Sequence, residues 1–167
     1  MKVVSKQRNS KMCMICGLDN EYGVNAPFYN MEDGSVMTLF HYKRQHQSYP
    51  GRVHGGLITA MLDEMGLRSL WAKELSEEKF GVTLSLDTKY RKPVPYETEL
   101  IGRGIVTREN SKFIVTDACI MDVYGNVLAN GEIKYIKMDT GQIAEGIEIH
   151  EEMPYLIEDD VKEIVFG

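Results

Sequence analysis

The sequence predicts an α+β fold in which a strongly curved antiparallel sheet wraps around one long central helix. Three observations carry this expectation: a helical stretch whose first half is apolar on nearly every face, six segments of strand pattern on either side of it, and no repeat or low-complexity linker between them. At 167 residues and 43% hydrophobic, the chain can bury one substantial core but is too short for two ordinary domains.

The elements follow in order. Residues 25–31 and 36–43 have strand composition, and Glu32-Asp33-Gly34-Ser35 between them carries the residues of a tight turn, which makes a hairpin. Ser48-Tyr49-Pro50-Gly51 then breaks the chain before a proline-free run, residues 55–75, with helical spacing. In its first half, GGLITAMLDEMGL, the only charges are Asp63 and Glu64, so other structure is expected to enclose it. VTLSLDTKY, from Val82 to Tyr90, alternates: Val82, Leu84, Leu86 and Tyr90 share one face, and Thr83, Ser85, Asp87 and Lys89 the other. Residues 98–107, 112–123 and 127–138 read as three more strands, with turns at Glu109-Asn110-Ser111 and Tyr124-Gly125-Asn126. A curved sheet around a buried helix is the hotdog arrangement. It spans residues 25–140, after an N-terminal flap, 1–24, and before an acidic extension, 141–167, with apolar residues enough for a short docked element.

Composition narrows the function. The 26% charged fraction fits a soluble protein, no apolar run reaches the roughly 20 residues that span a bilayer, and the N-terminus lacks a secretory pattern, so a cytoplasmic location is expected. A net charge of −6 argues against nucleic acid as the main partner. Three cysteines, Cys13, Cys16 and Cys119, make a poor disulfide framework and suit a reducing compartment.

The chemistry concentrates between Pro50 and Glu64. His54-Gly55-Gly56 opens the helix, where backbone N–H groups lack intrahelical partners and the dipole is positive. Donors left uncovered by glycine can polarise a carbonyl and stabilise an oxyanion; alternatively, the glycines only allow close packing. Glu64 has Arg68 four residues on and reads as half of a helical ion pair. Asp63 points about 100° away from Glu64 and has no such partner. Gly56, Thr59 and Gly66 share its face and leave a groove, which suits a general base or nucleophile; a structural hydrogen bond to a loop or a second subunit is the other reading.

The segment GRVHGGLITAMLDEMG resembles the signature of the hotdog thioesterases of the phenylacetate-degradation type, within the 4-hydroxybenzoyl-CoA thioesterase superfamily. The likeness continues through GVTLSLDTKYRKPVP to GEIKYIKM and includes the upstream CMICGLDNEYGV, about residues 13 to 138. It implies hydrolysis of an acyl-CoA thioester without cofactor or metal: the Gly55 N–H polarises the carbonyl, Asp63 acts as base or nucleophile, and Thr83 holds the attacking water. It also implies a site shared between paired subunits, hence a homodimer or a tetramer. Where some relatives carry a polar group six residues before the histidine, this chain has Ser48, with Gln45, His46 and Gln47 nearby.

On this reading His54 anchors the loop beside the substrate and Gly56 lines the helix start. Arg91 and Lys92 are the phosphate anchors, Lys89 and Arg103 the alternatives, and a solvated basic loop the simpler account. Tyr90, Tyr96 and Phe113 hint at an aryl or medium-length acyl group. Two other functions remain open: a non-catalytic acyl-CoA-binding module, and an acyl-thioester dehydratase, which usually needs a catalytic histidine outside an HGG context. Cys13 and Cys16 have the spacing of a zinc knuckle, but no second pair follows, so flap packing is expected instead of a metal site.

Overall fold

The computed structural model describes residues 1–72, 80–143, 145–146 and 148–167. Its core is a seven-stranded antiparallel sheet built from β1 (Val3–Lys6), β2 (Tyr29–Met31), β3 (Val36–Phe40), β4 (Phe80–Tyr90), β5 (Leu100–Glu109), β6 (Phe113–Asp122) and β7 (Val127–Met138). The spatial order is β1-β2-β3-β5-β6-β7-β4. One helix, α1 (Gly55–Ser69), lies on a face of the sheet, and two single-turn helices, α2 (Thr140–Ile143) and α3 (Ile149–Glu152), follow the last strand.

The hairpin forms at the expected residues. Gly34 takes the positive φ of 77° that a side chain resists, and Asp33 accepts from the N–H and hydroxyl of Ser35. Residues 24–28 do not extend β2, because their backbone bonds to the N-terminal segment, as in Ala26 N–H to Ile15 O. β1 was not anticipated: four residues of weak pattern become a strand by pairing with β2.

The expected wrap is not found. The sheet is open, with β1 and β4 as its edges, and α1 packs on one face of it, with the N-terminal segment against the helix as well. Gly56 is exposed, and Gly55, Leu57, Thr59, Asp63 and Glu64 are only half-buried. The helix gains its packing by close approach instead. A Cβ at Gly104 would sit 2.8 Å from the Met65 carbonyl carbon, and one at Gly102 would meet Met65 Sδ at 3.0 Å. Helix-facing Ile58, Met61, Leu62 and Met65 are buried against Val36, Leu100, Ile120 and Ile133. Helix α1 also stops at Ser69, earlier than expected: Leu70 N–H reaches back to Leu67 O, and Leu70 and Trp71 turn into a cluster with Ile114. Residues 73–75 of the expected helix lie outside the described ones.

The opposite face is covered at its β2, β3 and β5 end by the C-terminal segment. Ile164 N–H bonds to Met1 O, and its side chain packs on Tyr29, Met31, Met37, Ile101 and Met121.

Candidate functional site

Asp63 lies near the middle of α1, facing β4 and β7. Thr83 Oγ1 donates to its carboxylate at 2.8 Å, and the Tyr135 hydroxyl donates to its backbone carbonyl at 2.7 Å while standing 3.2 Å from Oδ1. Burial pushes the Asp63 carboxyl above its ordinary range; the Thr83 and Tyr135 hydrogen bonds pull it back down and Glu64 adds to the rise. A half-buried carboxylate with a raised pKa and two hydroxyls upon it is suited to taking a proton from water.

Thr83 reaches this position through a bulge. The pairing of β4 with β7 shifts register between Thr83 and Ser85. Thr83 lies opposite Tyr135, whereas beyond the bulge Leu86, Thr88 and Tyr90 lie opposite Ile133, Gly131 and Ala129. Strict alternation puts Thr83 and Leu86 on opposite faces; the extra residue turns both toward α1 and leaves Val82 and Leu84 exposed. Tyr135 escaped the sequence reading. Its signal was an inward position in β7 beside Gly66: a Cβ at Gly66 would lie 2.5 Å from Thr116 Oγ1 and closer still to the Tyr135 hydroxyl. The space beside Gly66 is therefore filled, not an open groove.

At the start of α1, His54 is the N-cap and its Nδ1 accepts from Gly56 N–H at 3.0 Å. His54 O accepts from Leu57 and Ile58, but among the described residues no acceptor is found for Gly55 N–H. Tyr90 closes over this turn, donating to Gly55 O at 3.0 Å and bonding Thr59 Oγ1 at 2.7 Å. Arg91 and Lys92 follow directly, both exposed, with Arg91 Nε on Asn130 Oδ1. Of the alternative cations, Lys89 lies 3.6 Å from Asp87 and Arg103 pairs with Asp33 at 2.8 Å.

The loop before the helix sorts its polar residues. His46 is buried and holds the loop, with Nδ1 accepting from Lys43 N–H and Nε2 on Tyr22 O. Gln47 accepts from Tyr96, and Ser48 is exposed, with its N–H on Arg52 O. A cavity of about 490 Å³, lined by Asp87, Phe113, Glu132 and Lys134 among others, opens on the sheet face away from α1, so Phe113 is far from Asp63's side of the sheet.

Glu64 pairs with Arg68 as its spacing predicts, Nε to Oε1 at 2.8 Å. Arg68 is 1% exposed, lies over the rings of Phe28 and Trp71, and donates to Arg8 O. The cysteine pair packs against this ion pair. Cys13 is lowered to about 7, chiefly by the hydrogen bond with the Cys16 side chain, and the Cys16 thiol is pushed up by that bond and by burial.

The family model of the thioesterase superfamily matches residues 50–129, which span the helix, its N-cap, β4, β5, β6 and the start of β7. Among solved structures, the chain is similar to a thioesterase superfamily protein at 26% identity and a TM-score of 0.67; the match covers 75% of this chain and 63% of that protein's own length. It is also similar in fold to a Haemophilus influenzae thioesterase, at 13% identity, TM-score 0.62 and 74% and 84% coverage. Thioesterase superfamily member 2 from Mus musculus gives 16% identity, TM-score 0.59 and 66% and 80% coverage. No curated protein matches in sequence. Among the described residues no helix is long and apolar enough to cross a membrane.

Proposed function

We propose that this chain, which belongs to the hotdog-fold thioesterase superfamily, hydrolyses an acyl-CoA thioester to the free acid and coenzyme A. The observation that carries the proposal is the Asp63 carboxylate, half-buried, raised in pKa and held by Thr83, on a helix whose first N–H has no acceptor among the described residues.

In the proposed reaction water adds to the thioester carbonyl, Asp63 takes its proton, and a Gly55 N–H at the helix's positive end stabilises the oxyanion. Collapse of the adduct breaks the C–S bond, and the coenzyme leaves as thiolate and is protonated. Direct attack by Asp63, through an anhydride that water then opens, uses the same residues. Thr83 orients the water or the carboxylate, and Arg91 and Lys92, beside the Gly55 turn, meet the phosphates of the coenzyme. His54 holds Gly56 and so shapes the turn.

Gly55 and Asp63 of one chain cannot serve the same carbonyl. Eight residues of helix separate them, about 12 Å at 1.5 Å per residue. The proposal therefore needs two copies, each supplying one half of a site. Among the described residues β4 is an edge strand of the sheet with Val82, Leu84 and Tyr90 exposed, and it carries Thr83, which suits pairing with a second β4.

The test is free-thiol release across a panel of acyl-CoAs, aryl and aliphatic, with wild type and Asp63→Asn. Turnover lost by about 10²–10⁴-fold in the variant supports the reading. Undiminished turnover in Asp63→Asn contradicts it, and tight binding by wild type with no turnover makes the chain a binding module.

A further inference from the structure

Cys13 and Cys16 stand on one tight turn of the N-terminal segment and Glu64 on α1, yet both sulfurs and a Glu64 carboxylate oxygen lie within 4.8 Å of one another. The turn is built around the first sulfur. Ile15 and Cys16 donate their N–H groups to Cys13 Sγ at 3.3 and 3.4 Å, and Gly17 N–H closes on Cys13 O at 2.9 Å. Only glycine fits at 17, since a Cβ there would lie 2.5 Å from Cys13 N. Backbone donors aimed at a sulfur favour its thiolate, the form that ligates metals.

Glu64 divides its oxygens. Oε1 takes Arg68 Nε, and Oε2 faces Cys13 Sγ at 3.9 Å. Tetrahedral zinc, with bonds of about 2.3 Å to sulfur and about 2.0 Å to oxygen, sets sulfur–oxygen separations of about 3.5 Å and sulfur–sulfur separations of about 3.8 Å. The observed contact needs only a few tenths of an ångström of movement.

The geometry points to a metal site: Cys13, Cys16 and Glu64 bind one zinc-class divalent cation, which pins the N-terminal flap to the helix that carries Asp63. Two thiolates favour a borderline-soft ion over calcium or magnesium. Charge closes as well: two thiolates and a carboxylate against one dication and the Arg68 guanidinium leave no net charge in a site where Cys16 is 2% exposed and Arg68 1%. Half-buried Cys13 leaves the fourth position open to water. The sequence alone offered two ligands; the third comes from α1, 51 residues from Cys13, at a position whose ion pair already accounted for it.

The experiment is a titration of the reduced, full-length protein with Co²⁺ alone, followed by Zn²⁺, recorded by absorbance. It is independent of thioester hydrolysis. The expected result is saturation at one equivalent, with a thiolate-to-cobalt charge-transfer band and the visible bands of a tetrahedral ion, all discharged by one equivalent of Zn²⁺. Cys16→Ser abolishes the charge-transfer saturation, Glu64→Gln weakens binding about tenfold or more, and Cys119→Ser binds as wild type does. Wild type without a saturable band overturns the site whether or not any variant folds. Equal affinity in Glu64→Gln overturns the three-ligand assignment.

Discussion

Asp63 is held in tension between burial and hydrogen bonding. Burial raises its pKa above the ordinary 3.8, so the folded protein binds its proton more tightly than the unfolded chain does. Stability tied to this group is therefore full below the ordinary value and is lost as pH rises through the folded value, which leaves the ionised carboxylate opposing folding at neutral pH. Asp63→Asn is expected to unfold at the same temperature as wild type or higher at pH 7, by calorimetry, while losing turnover; a marked fall in melting temperature would show that the carboxylate is structural. Thr83 and Tyr135 lower the same pKa by hydrogen bonding. Thr83→Val and Tyr135→Phe should each move the acid limb of the pH–rate profile to higher pH. An unshifted limb in both would separate that limb from Asp63.

At the level of elements, α1 joins two tasks. One flank carries Asp63; the other carries Arg68, which ties the helix to the N-terminal segment through Arg8 O and Gln7. Arg68→Ala leaves Glu64 half-buried without its guanidinium and should cost about 3–5 kcal/mol in denaturant unfolding. Gly104→Ala drives a methyl into the Met65 carbonyl and should cost about 1–3 kcal/mol. A stability unchanged by either contradicts the packing described. The helix, the hairpin and β7 were legible because local periodicity and turn residues specify them. Besides β1, three features were not. The bulge in β4 is a matter of register, invisible until β7 lies opposite, and it decides where Thr83 points. Tyr135 reads as one more strand aromatic until Gly66 is seen beside it. The enclosed helix followed from its apolar faces, but glycines on β5 let an open sheet bury those faces by proximity, without curling.

Across the whole molecule the chain ends meet, with Lys2 bridging Glu163 and Ile164 seated on the sheet face away from α1. Ile164→Ala should cost about 2–5 kcal/mol, as truncations in closed cores do; a neutral effect would make the terminal segment dispensable. On the proposed two-copy arrangement, helix start and carboxylate meet only across subunits, and a mixing experiment reads this directly. Gly55→Pro removes the N–H while keeping an N1 residue that helices accept, next to a His54 backbone already extended at ψ 131°. Asp63→Asn and Gly55→Pro are each expected to be inactive alone. Unfolded, mixed in equal amounts and refolded together, they should recover about a quarter of wild-type thiol release, because half the dimers are mixed and each mixed dimer has one intact site. No recovery, with mixed dimers present, would contradict a site shared between Asp63 of one copy and Gly55 of the other.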